Sequence, residues 1–456
     1  MFDIRPINEG RLEESSMQQI WRAAAVVCTF NHMIIALSAG AIAVAWALLL
    51  LQIDPVPTWF YVFAWYPTLV LLDAVTVRLD GGPSVLWRKS AISLFAWSPV
   101  IWLVFEAANF RLMNWYYVFL PHSLLERWAG ILLSFATVVP ALLLAERILG
   151  TVGVCRTCKA RPVRVRPRDL SAATLLGIAM GLLALALPRL FFPLIWGAAF
   201  LITDPIVYRL NRPLSLIADL ERGDWGRIGR LLLGGLAVGI IWEAYNFWAR
   251  GKWIYTVPWL EEVKLFEMPP FGFVGFPVFA LEAWSMYHLL CALGVAHSLG
   301  AHTGLARRRT VMAGLAALLL TCGILVGMER RTISSTVPRL GDVPGVGESV
   351  AARLRAAGVR AVFQLAAADP AVLKAAALTD QEAGIAISHA RLVELRGIGT
   401  KHALTLVSLG INRVCELAAR DPEHLTYQIR RHTDAVRPTA AEVRVWIRAA
   451  RRRCTS

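Results

Sequence analysis

Nine apolar segments, each long enough to cross a bilayer as a helix, constrain the fold more than any other feature of the sequence. A membrane-spanning helix needs about 20 consecutive apolar residues, because the hydrocarbon layer is about 30 Å thick. The backbone inside a bilayer has to satisfy its own hydrogen bonds, so segments of this kind form helices. The segments lie near residues 25–51, 58–79, 90–110, 128–149, 170–187, 189–210, 228–248, 271–297 and 310–328. The sequence therefore predicts an all-α, polytopic membrane helix bundle with the lipid bilayer as its solvent.

Residue pairs that recur at a nearly fixed distance predict an internal duplication of the apolar part. The spacing is constant within helices and drifts by a few residues at loops, as expected after an ancient duplication. The matched pairs are Trp65 with Trp196, Asp73 with Asp204, Glu106 with Glu243, Asn109 with Asn246, and Glu146 with Glu282. We expect two parallel four-helix repeats related by an axis along the membrane normal, because an even number of helices preserves the orientation.

The predicted domains follow from these patterns. A polar segment (1–24) precedes the first membrane repeat (25–149), a basic loop (150–169) joins it to the second repeat (170–297), and a ninth transmembrane helix (310–328) and a tail domain (337–456) follow. Residues Arg330 to Thr336 are polar and predict a linker before the tail.

The tail contains its own internal repeat. Pro344-Gly345-Val346-Gly347 recurs as Arg396-Gly397-Ile398-Gly399, and each copy is followed by an Ala-rich helix. These motifs resemble tandem helix-hairpin-helix domains, which implies a small all-α domain. In DNA-binding members the hairpin backbone holds phosphates, which implies nucleic-acid contacts from Gly345, Gly347, Gly397 and Gly399 beside Lys401. The net charge of +8 for residues 329–456 is compatible with this use, but the hairpins could equally bind protein or only pack helices.

Six carboxylates lie in or at the ends of apolar helices. An ionised group at the bilayer centre costs at least ~2.5–3.5 kcal/mol, so each carboxylate is expected to have a partner or a function. We expect structural ion pairs between Asp73 and Arg78 and between Asp204 and Arg209. For Glu106 and Glu243 we expect hydrogen bonds to Asn109 and Asn246, one turn later, facing a polar cavity. Together with Glu146 and Glu282 these residues are the candidate catalytic groups, since a buried glutamate can act as a proton donor.

Aromatic residues accompany the glutamates. We expect Trp242, Tyr245, Trp253 and Tyr255 to line a ligand pocket, although Trp253 also fits the aromatic belt of a membrane interface. The order Asp204-x4-Arg209, Trp242-Glu243 and Gly251-Lys252-Trp253-Ile254-Tyr255 resembles duplicated membrane domains of the lycopene cyclase type. That resemblance implies proton-initiated cyclisation of a polyene, with Glu106 and Glu243 in the place of the acid. The Pro-x-Glu-Glu motif of that family is absent, because Glu261-Glu262 precedes Pro269-Pro270 and Glu282 lies too deep.

The function predicted from these features is binding or acid-catalysed rearrangement of an apolar, isoprenoid-like lipid ligand. The alternatives are a proton- or cation-coupled transporter, and a non-enzymatic scaffold whose tail binds nucleic acid or protein. No cofactor and no metal site are expected, because Cys155 and Cys158 supply only two of the four ligands that zinc requires. The scattered cysteines predict no disulfide framework.

The distribution of Lys and Arg predicts the orientation. The N-terminus and the loops after the second, fourth, sixth and eighth segments hold 21 of them, against 6 in the other loops. Positive charge collects in cytoplasmic loops, so the N-terminus is expected in the cytoplasm, with the protein in a plasma or inner membrane. Nine spans would then place the tail outside, unless residues 310–328 do not cross.

Overall fold

The computed structural model describes residues 9–258, 263–298, 305–432 and 438–454, and only the helical backbone of residues 9–29. The membrane part consists of α1 (Glu9–Leu50), α2 (Val56–Asp80), α3 (Lys89–Leu112), β1 (Trp115–Val118), α4 (Leu124–Ala136), α5 (Val138–Thr151), α6 (Pro167–Ala186), α7 (Pro188–Phe191), α8 (Ile195–Leu210), α9 (Leu216–Glu221), α10 (Gly226–Trp248), β2 (Lys252–Tyr255), α11 (Gly275–Ala292) and α12 (Arg307–Arg331). The tail consists of α13 (Gly347–Ala356), α14 (Val362–Ala366), α15 (Pro370–Ala375), α16 (Asp380–Glu394), α17 (Gly399–Ser408), α18 (Val414–Ala418), α19 (Pro422–His432) and α20 (Ala440–Cys454). Short 3-10 turns occupy Phe192–Leu194, Arg212–Leu214, Pro270–Val274, Leu340–Asp342 and Leu395–Gly397.

Nine of the described helices are long and apolar enough to cross a membrane, which confirms the predicted bundle. Two spans are interrupted: α4 and α5 together form Leu124–Thr151, and the short turns before α8 belong to Pro188–Leu210. The ninth span is α12, which agrees with the prediction for 310–328. Helix α1 already begins at Glu9, inside the segment predicted as polar, while residues 1–8 lie outside the described residues.

The connections between the spans separate into two ends. At one end Lys159, after the fourth span, lies 4.0 Å from Asp224, after the sixth. At the other end Arg250, after the seventh span, forms a 2.7 Å ion pair with Asp54, after the first. The tail lies at this second end. The arrangement is the one expected when every span crosses the membrane once.

The second end is organised by a two-stranded antiparallel ribbon. The register pairs Trp115 with Tyr255, Tyr116 with Ile254, Tyr117 with Trp253 and Val118 with Lys252. In the repeat, Trp115 and Tyr117 correspond to Trp253 and Tyr255. The pairing is therefore unchanged when a two-fold rotation exchanges the two strands. This is the symmetry expected of parallel repeats. Alternate side chains point to opposite faces, so the ribbon has one face toward the membrane helices and one toward the tail.

The tail has its own hydrophobic core, with fully buried side chains that include Leu354, Leu406 and Trp446. Cys415 in α18 is bonded to Cys454 at the end of α20, with 5.6 Å between their Cα atoms. The scattered cysteines implied no disulfide framework, and this pair was not foreseen. No periodic sequence signal links the two cysteines, because they lie far apart in the chain on separate helices that meet only in the folded core.

The predicted linker between α12 and the tail is an ordered edge of the ribbon. The Tyr117 amide donates to the Thr332 carbonyl (2.7 Å), the Ser334 amide donates to the Tyr117 carbonyl (2.8 Å), and the Val337 amide donates to the Leu120 carbonyl (2.9 Å). The ninth span is fixed just before this segment, where Glu329 accepts two hydrogen bonds from the Arg127 guanidinium. Backbone pairing therefore attaches the tail directly to the membrane part.

Candidate functional site

A cavity of about 120 Å³ lies between the two halves of the membrane part, on the inner face of the ribbon. Its wall is mainly aromatic, with side chains that include Tyr61, Trp102, Trp115, Tyr117, Trp196, Trp242, Trp253, Tyr255 and Phe279. Lys252 is the single charged residue among the described residues of the lining. A dry apolar cavity of about 150 Å³ binds a benzene-sized molecule. The space therefore fits a compact apolar group of similar size.

Glu106 lies behind this wall and accepts hydrogen bonds from three aromatic side chains. One carboxylate oxygen, Oε1, receives the indole N–H of Trp102 (3.0 Å), the indole N–H of Trp115 (3.0 Å) and the hydroxyl of Tyr117 (2.5 Å). The side chain of Glu106 is completely buried. By accepting these donors, the carboxylate turns the polar atoms of the wall away from the cavity and leaves aromatic carbon facing it.

Glu243 has the matching position in the second half. Its Oε1 accepts the hydroxyl of Tyr255 at 2.8 Å, and this tyrosine corresponds to Tyr117. Burial raises the pKa of both tyrosine hydroxyls well above the usual value, with the neighbouring glutamates acting in the same direction, so both remain protonated donors. Neither glutamate belongs to the described residues that line the cavity, and each is separated from it by its tyrosine.

The two asparagines fasten the ribbon and do not contact the glutamates in the way predicted. The Asn109 side-chain amide donates to the Trp115 carbonyl (2.9 Å), and its oxygen accepts from the Asn114 amide (2.8 Å). In the second half, the Asn246 side-chain amide donates to the Trp253 carbonyl and its oxygen accepts from the Trp253 amide, both at 3.0 Å. One turn after the glutamate, each asparagine lies near the end of its helix. It therefore hydrogen-bonds the backbone that follows the helix.

The two aspartates also have a role other than the predicted one. Asp73 accepts from the Ser84 hydroxyl and from the amides of Val85 (2.9 Å) and Leu86 (3.3 Å). Asp204 repeats this pattern in the second half, with hydrogen bonds from Ser215, Leu216 and Ile217. Each aspartate therefore organises the turn that follows its helix.

The ion pairs expected of these aspartates are not formed among the residues that the structure describes. The Arg78 guanidinium donates instead to His32, and the Arg209 guanidinium donates to Ser171. Both arginines lie beyond their aspartates near the helix end, where they face outward while the carboxylates face the following turn.

Glu146 and Glu282 have different surroundings, although they match in sequence. Glu146 forms an ion pair with Arg230 at the end of the membrane part opposite the tail. Glu282 is completely buried and accepts from the amides of Gly197 (2.8 Å) and Ala199 (3.0 Å). Gly197 has φ of 101°, which interrupts the helix there and leaves these amides without helical partners. Glu282 thus stabilises the break that brings Trp196 to the cavity.

Of the four predicted lining residues, Trp242, Trp253 and Tyr255 face the cavity and Tyr245 does not. The Tyr245 hydroxyl lies 2.9 Å from that of Thr68, and its ring packs against Trp65 in α2. Trp196 and Phe279 were not predicted as lining residues. The repeat offered a signal for Trp196, through its match to Trp65, but nothing in the sequence located Phe279.

The second hairpin of the tail contacts the outer face of the ribbon and its edge. Gly397 and Gly399 are buried, and a Cβ added to them would lie 2.1 Å from Val118 and 2.6 Å from Ser335. Between them and α16, Arg396 has φ of 47° and directs its guanidinium to the buried carboxylate of Glu267. These glycines therefore serve close packing against the membrane part.

Glu267 connects the tail to the cavity. Its carboxylate is fully buried and also accepts from the Lys252 ammonium at 3.1 Å. Burial acts to raise the pKa of Glu267, but the charges of Lys252, Arg396 and Lys264 outweigh it and hold that pKa below its usual value. No sequence signal links Glu267 to Arg396, which belongs to a different domain.

The first hairpin has the opposite environment. Gly345 and Gly347 are exposed, and a Cβ added to Gly347 would meet nothing within 4 Å. Lys401, at the start of α17, is exposed as well. Of the predicted nucleic-acid contacts, only those of the first hairpin and Lys401 remain accessible to a partner.

No group of three or more potential metal-ligating residues occurs among the described residues. Cys155 and Cys158 are free and lie at the end of the membrane part opposite the tail.

These features define an all-α membrane helix bundle that carries a small helix-hairpin-helix domain. Residues 337–377 match the family described as a SAM-like helix-hairpin-helix tandem. The match supports the predicted type of the tail and indicates a nucleic-acid- or protein-binding unit. No curated protein and no solved structure matches the chain, and the resemblance of the membrane part to lycopene cyclase domains is without support.

Proposed function

We propose that the membrane part binds an apolar, isoprenoid-like lipid, one end of which enters the aromatic cavity between the two halves. The observation that carries this proposal is the aromatic cavity wall, in which Glu106 and Glu243 engage the N–H or O–H donors of four lining side chains: Trp102, Trp115, Tyr117 and Tyr255. A wall of aromatic carbon favours an apolar guest, because it offers dispersion contacts and leaves few hydrogen bonds to satisfy. The volume fits one compact end group, with the rest of a longer molecule outside.

Binding is favoured over acid catalysis and over proton or cation coupling. A general acid has to lie within hydrogen-bond reach of the group that it protonates. Glu106 and Glu243 are separated from the cavity by Tyr117 and Tyr255, whose hydroxyls already donate to them. Glu282 is engaged by the backbone of the broken helix. The carboxylates thus support the wall of a binding site.

For the tail, we propose that it is a protein-binding unit whose partner is the membrane part of the same chain. The second hairpin and the segment after α12 pack on the ribbon, and Phe119 contacts Phe363 of the tail with ring centroids 5.2 Å apart. Because the second hairpin is buried against the ribbon, only the first hairpin remains accessible to the phosphates of a nucleic acid.

The orientation we propose has the N-terminus in the cytoplasm and the tail on the opposite side. The excess of Lys and Arg in the loops at the other end supports this choice. The bond between Cys415 and Cys454 supports it independently, since disulfides persist in oxidising compartments.

Filling the cavity tests the binding proposal. Ser134 lines the cavity, so Ser134→Phe occupies the space, whereas Ser134→Ala leaves it open. The full-length variants are purified in mild detergent, and their lipids are extracted and identified by mass spectrometry. We expect a specific apolar lipid with the parent chain and Ser134→Ala, and at least tenfold less with Ser134→Phe. Equal recovery from all three, with unchanged circular dichroism, would reject the cavity as the binding site.

A further inference from the structure

A second cleft lies on the outer face of the ribbon, between β2 and the last helix of the tail. It has a volume of about 210 Å³, and its floor is apolar, formed by side chains such as Ile254 and Val445. The ribbon separates it from the aromatic cavity, because Trp253 and Tyr255 point to the opposite face. The cleft is therefore a separate space, and it does not depend on the function proposed above.

The side chains around this floor are strongly basic. Five of the nine lining residues are Lys or Arg, and none of the described lining residues is acidic; the basic residues are Lys264, Arg396, Arg448, Arg452 and Arg453. The carboxylates of Glu267 and Glu394 contact Arg396 and Arg453 from outside the lining. Several cations around one cleft attract an anion, and a bound anion would stabilise their arrangement.

The stabilisation of a helix end does not explain the whole cluster. Cations at a helix C-terminus interact favourably with the helix dipole, which accounts for arginines in the last turn of α20. Lys264 and Arg396, however, reach the cleft from the loop after β2 and from the second hairpin. Arg448 and Arg452 are one helical turn apart, and the same face of the helix presents both to the cleft. The convergence of three separate elements points to a ligand.

We infer that this cleft binds a phosphate group, carried by an anionic lipid headgroup or by a soluble phosphate ester. Guanidinium groups bind phosphate oxygens through paired N–H donors, and several arginines around a small cleft suit a group with three or four such oxygens. The apolar floor leaves room for the carbon atoms next to an ester linkage.

The test uses the full-length protein in detergent and two double variants of equal charge. Arg448→Gln/Arg452→Gln removes two cations of the cleft. Arg430→Gln/Arg431→Gln removes two cations of α19, outside the cleft lining, and serves as the matched control. Thermal unfolding of both variants establishes that the tail remains folded.

Two arms distinguish the sources of the phosphate. Native mass spectrometry measures retention of phosphatidylglycerol relative to phosphatidylcholine, and calorimetry measures binding of inorganic pyrophosphate. We expect binding in at least one arm, weakened at least tenfold by the cleft variant and less than twofold by the control. Selective loss in the lipid arm identifies a headgroup, and loss in the pyrophosphate arm identifies a soluble ester. No binding in either arm, or equal weakening by both variants, would overturn the inference.

Discussion

Replacing Glu106 should cost more stability than replacing its counterpart Glu243, because the two carboxylates hold different numbers of donors. Glu106→Leu introduces an apolar side chain of similar size and leaves the N–H or O–H groups of Trp102, Trp115 and Tyr117 without their acceptor. Each buried, unsatisfied donor costs about 1–3 kcal/mol, so even the lower bound gives about 3 kcal/mol for three donors. Glu243→Leu strands two donors, the Tyr255 hydroxyl and the Trp253 indole N–H, so the same lower bound gives about 2 kcal/mol.

The glutamine variant separates hydrogen bonding from charge. Glu106→Gln keeps an oxygen acceptor for the three donors and should cost only about 0.5–1.5 kcal/mol. Glutamine and leucine both remove the carboxylate charge, so the difference between the two variants reports the lost acceptor.

Reversible unfolding in mixed micelles, followed by the loss of helical circular dichroism, gives the free energies of unfolding. The reasoning is refuted if Glu106→Leu and Glu243→Leu lower the free energy equally, or if glutamine at position 106 is as costly as leucine.

Three further predictions concern the tail. Gly397→Ala should release the tail from the ribbon, since the added Cβ would lie 2.1 Å from a ribbon side chain, whereas Gly347→Ala should not. Hydrogen exchange in the segment after α12 measures the release. Equal exchange in both variants would argue against docking. Because the pKa of Glu267 is lowered, its ion pairs stabilise docking at any pH above the ordinary glutamate pKa of about 4.3. They are lost only as the pH falls through the lower pKa of the folded state. Hydrogen exchange in the segment after α12 that already rises near about pH 6 would contradict this. On intact cells, an impermeant thiol reagent should label Cys415 and Cys454 only after treatment with an impermeant reductant; a requirement for permeabilisation would place the tail inside.

The fold of the membrane part could be predicted because apolar length alone determines a spanning helix. The breaks within the helices could not be predicted in this way. The interruption at Gly197 depends on Glu282, in a later span, which accepts hydrogen bonds from the backbone amides that the break leaves free. The 3.6-residue periodicity within one helix carries no information about such a partner.

The candidate site was predicted in its residue types and not in its contacts. The repeat pointed to Glu106 and Glu243, but their partners come from the ribbon, whose pairing could not be foreseen from two short segments that lie in different halves of the membrane part. Their close spacing suggested that Asn109 faces Glu106, whereas the end of the helix gives the asparagine a backbone partner instead. Both residues lie in the last two turns of α3, where the backbone that follows the helix competes for the asparagine side chain.

The docking of the tail could not be predicted either. The two hairpins have similar sequences, but Gly399 is buried against Ser335 while Gly347 is exposed. The difference lies in the surface that each hairpin meets, and that surface is created by the membrane part.

Photoaffinity mapping tests the central claim, that the aromatic cavity binds an apolar lipid, most directly. A prenyl alcohol bearing a diazirine is bound to the full-length protein in detergent, irradiated, and located by peptide mass spectrometry. The account predicts labels on lining residues such as Ile131, Met268 and Phe276, and their loss in Ser134→Phe. Labels confined to exposed apolar residues such as Leu319, unchanged in that variant, would contradict it.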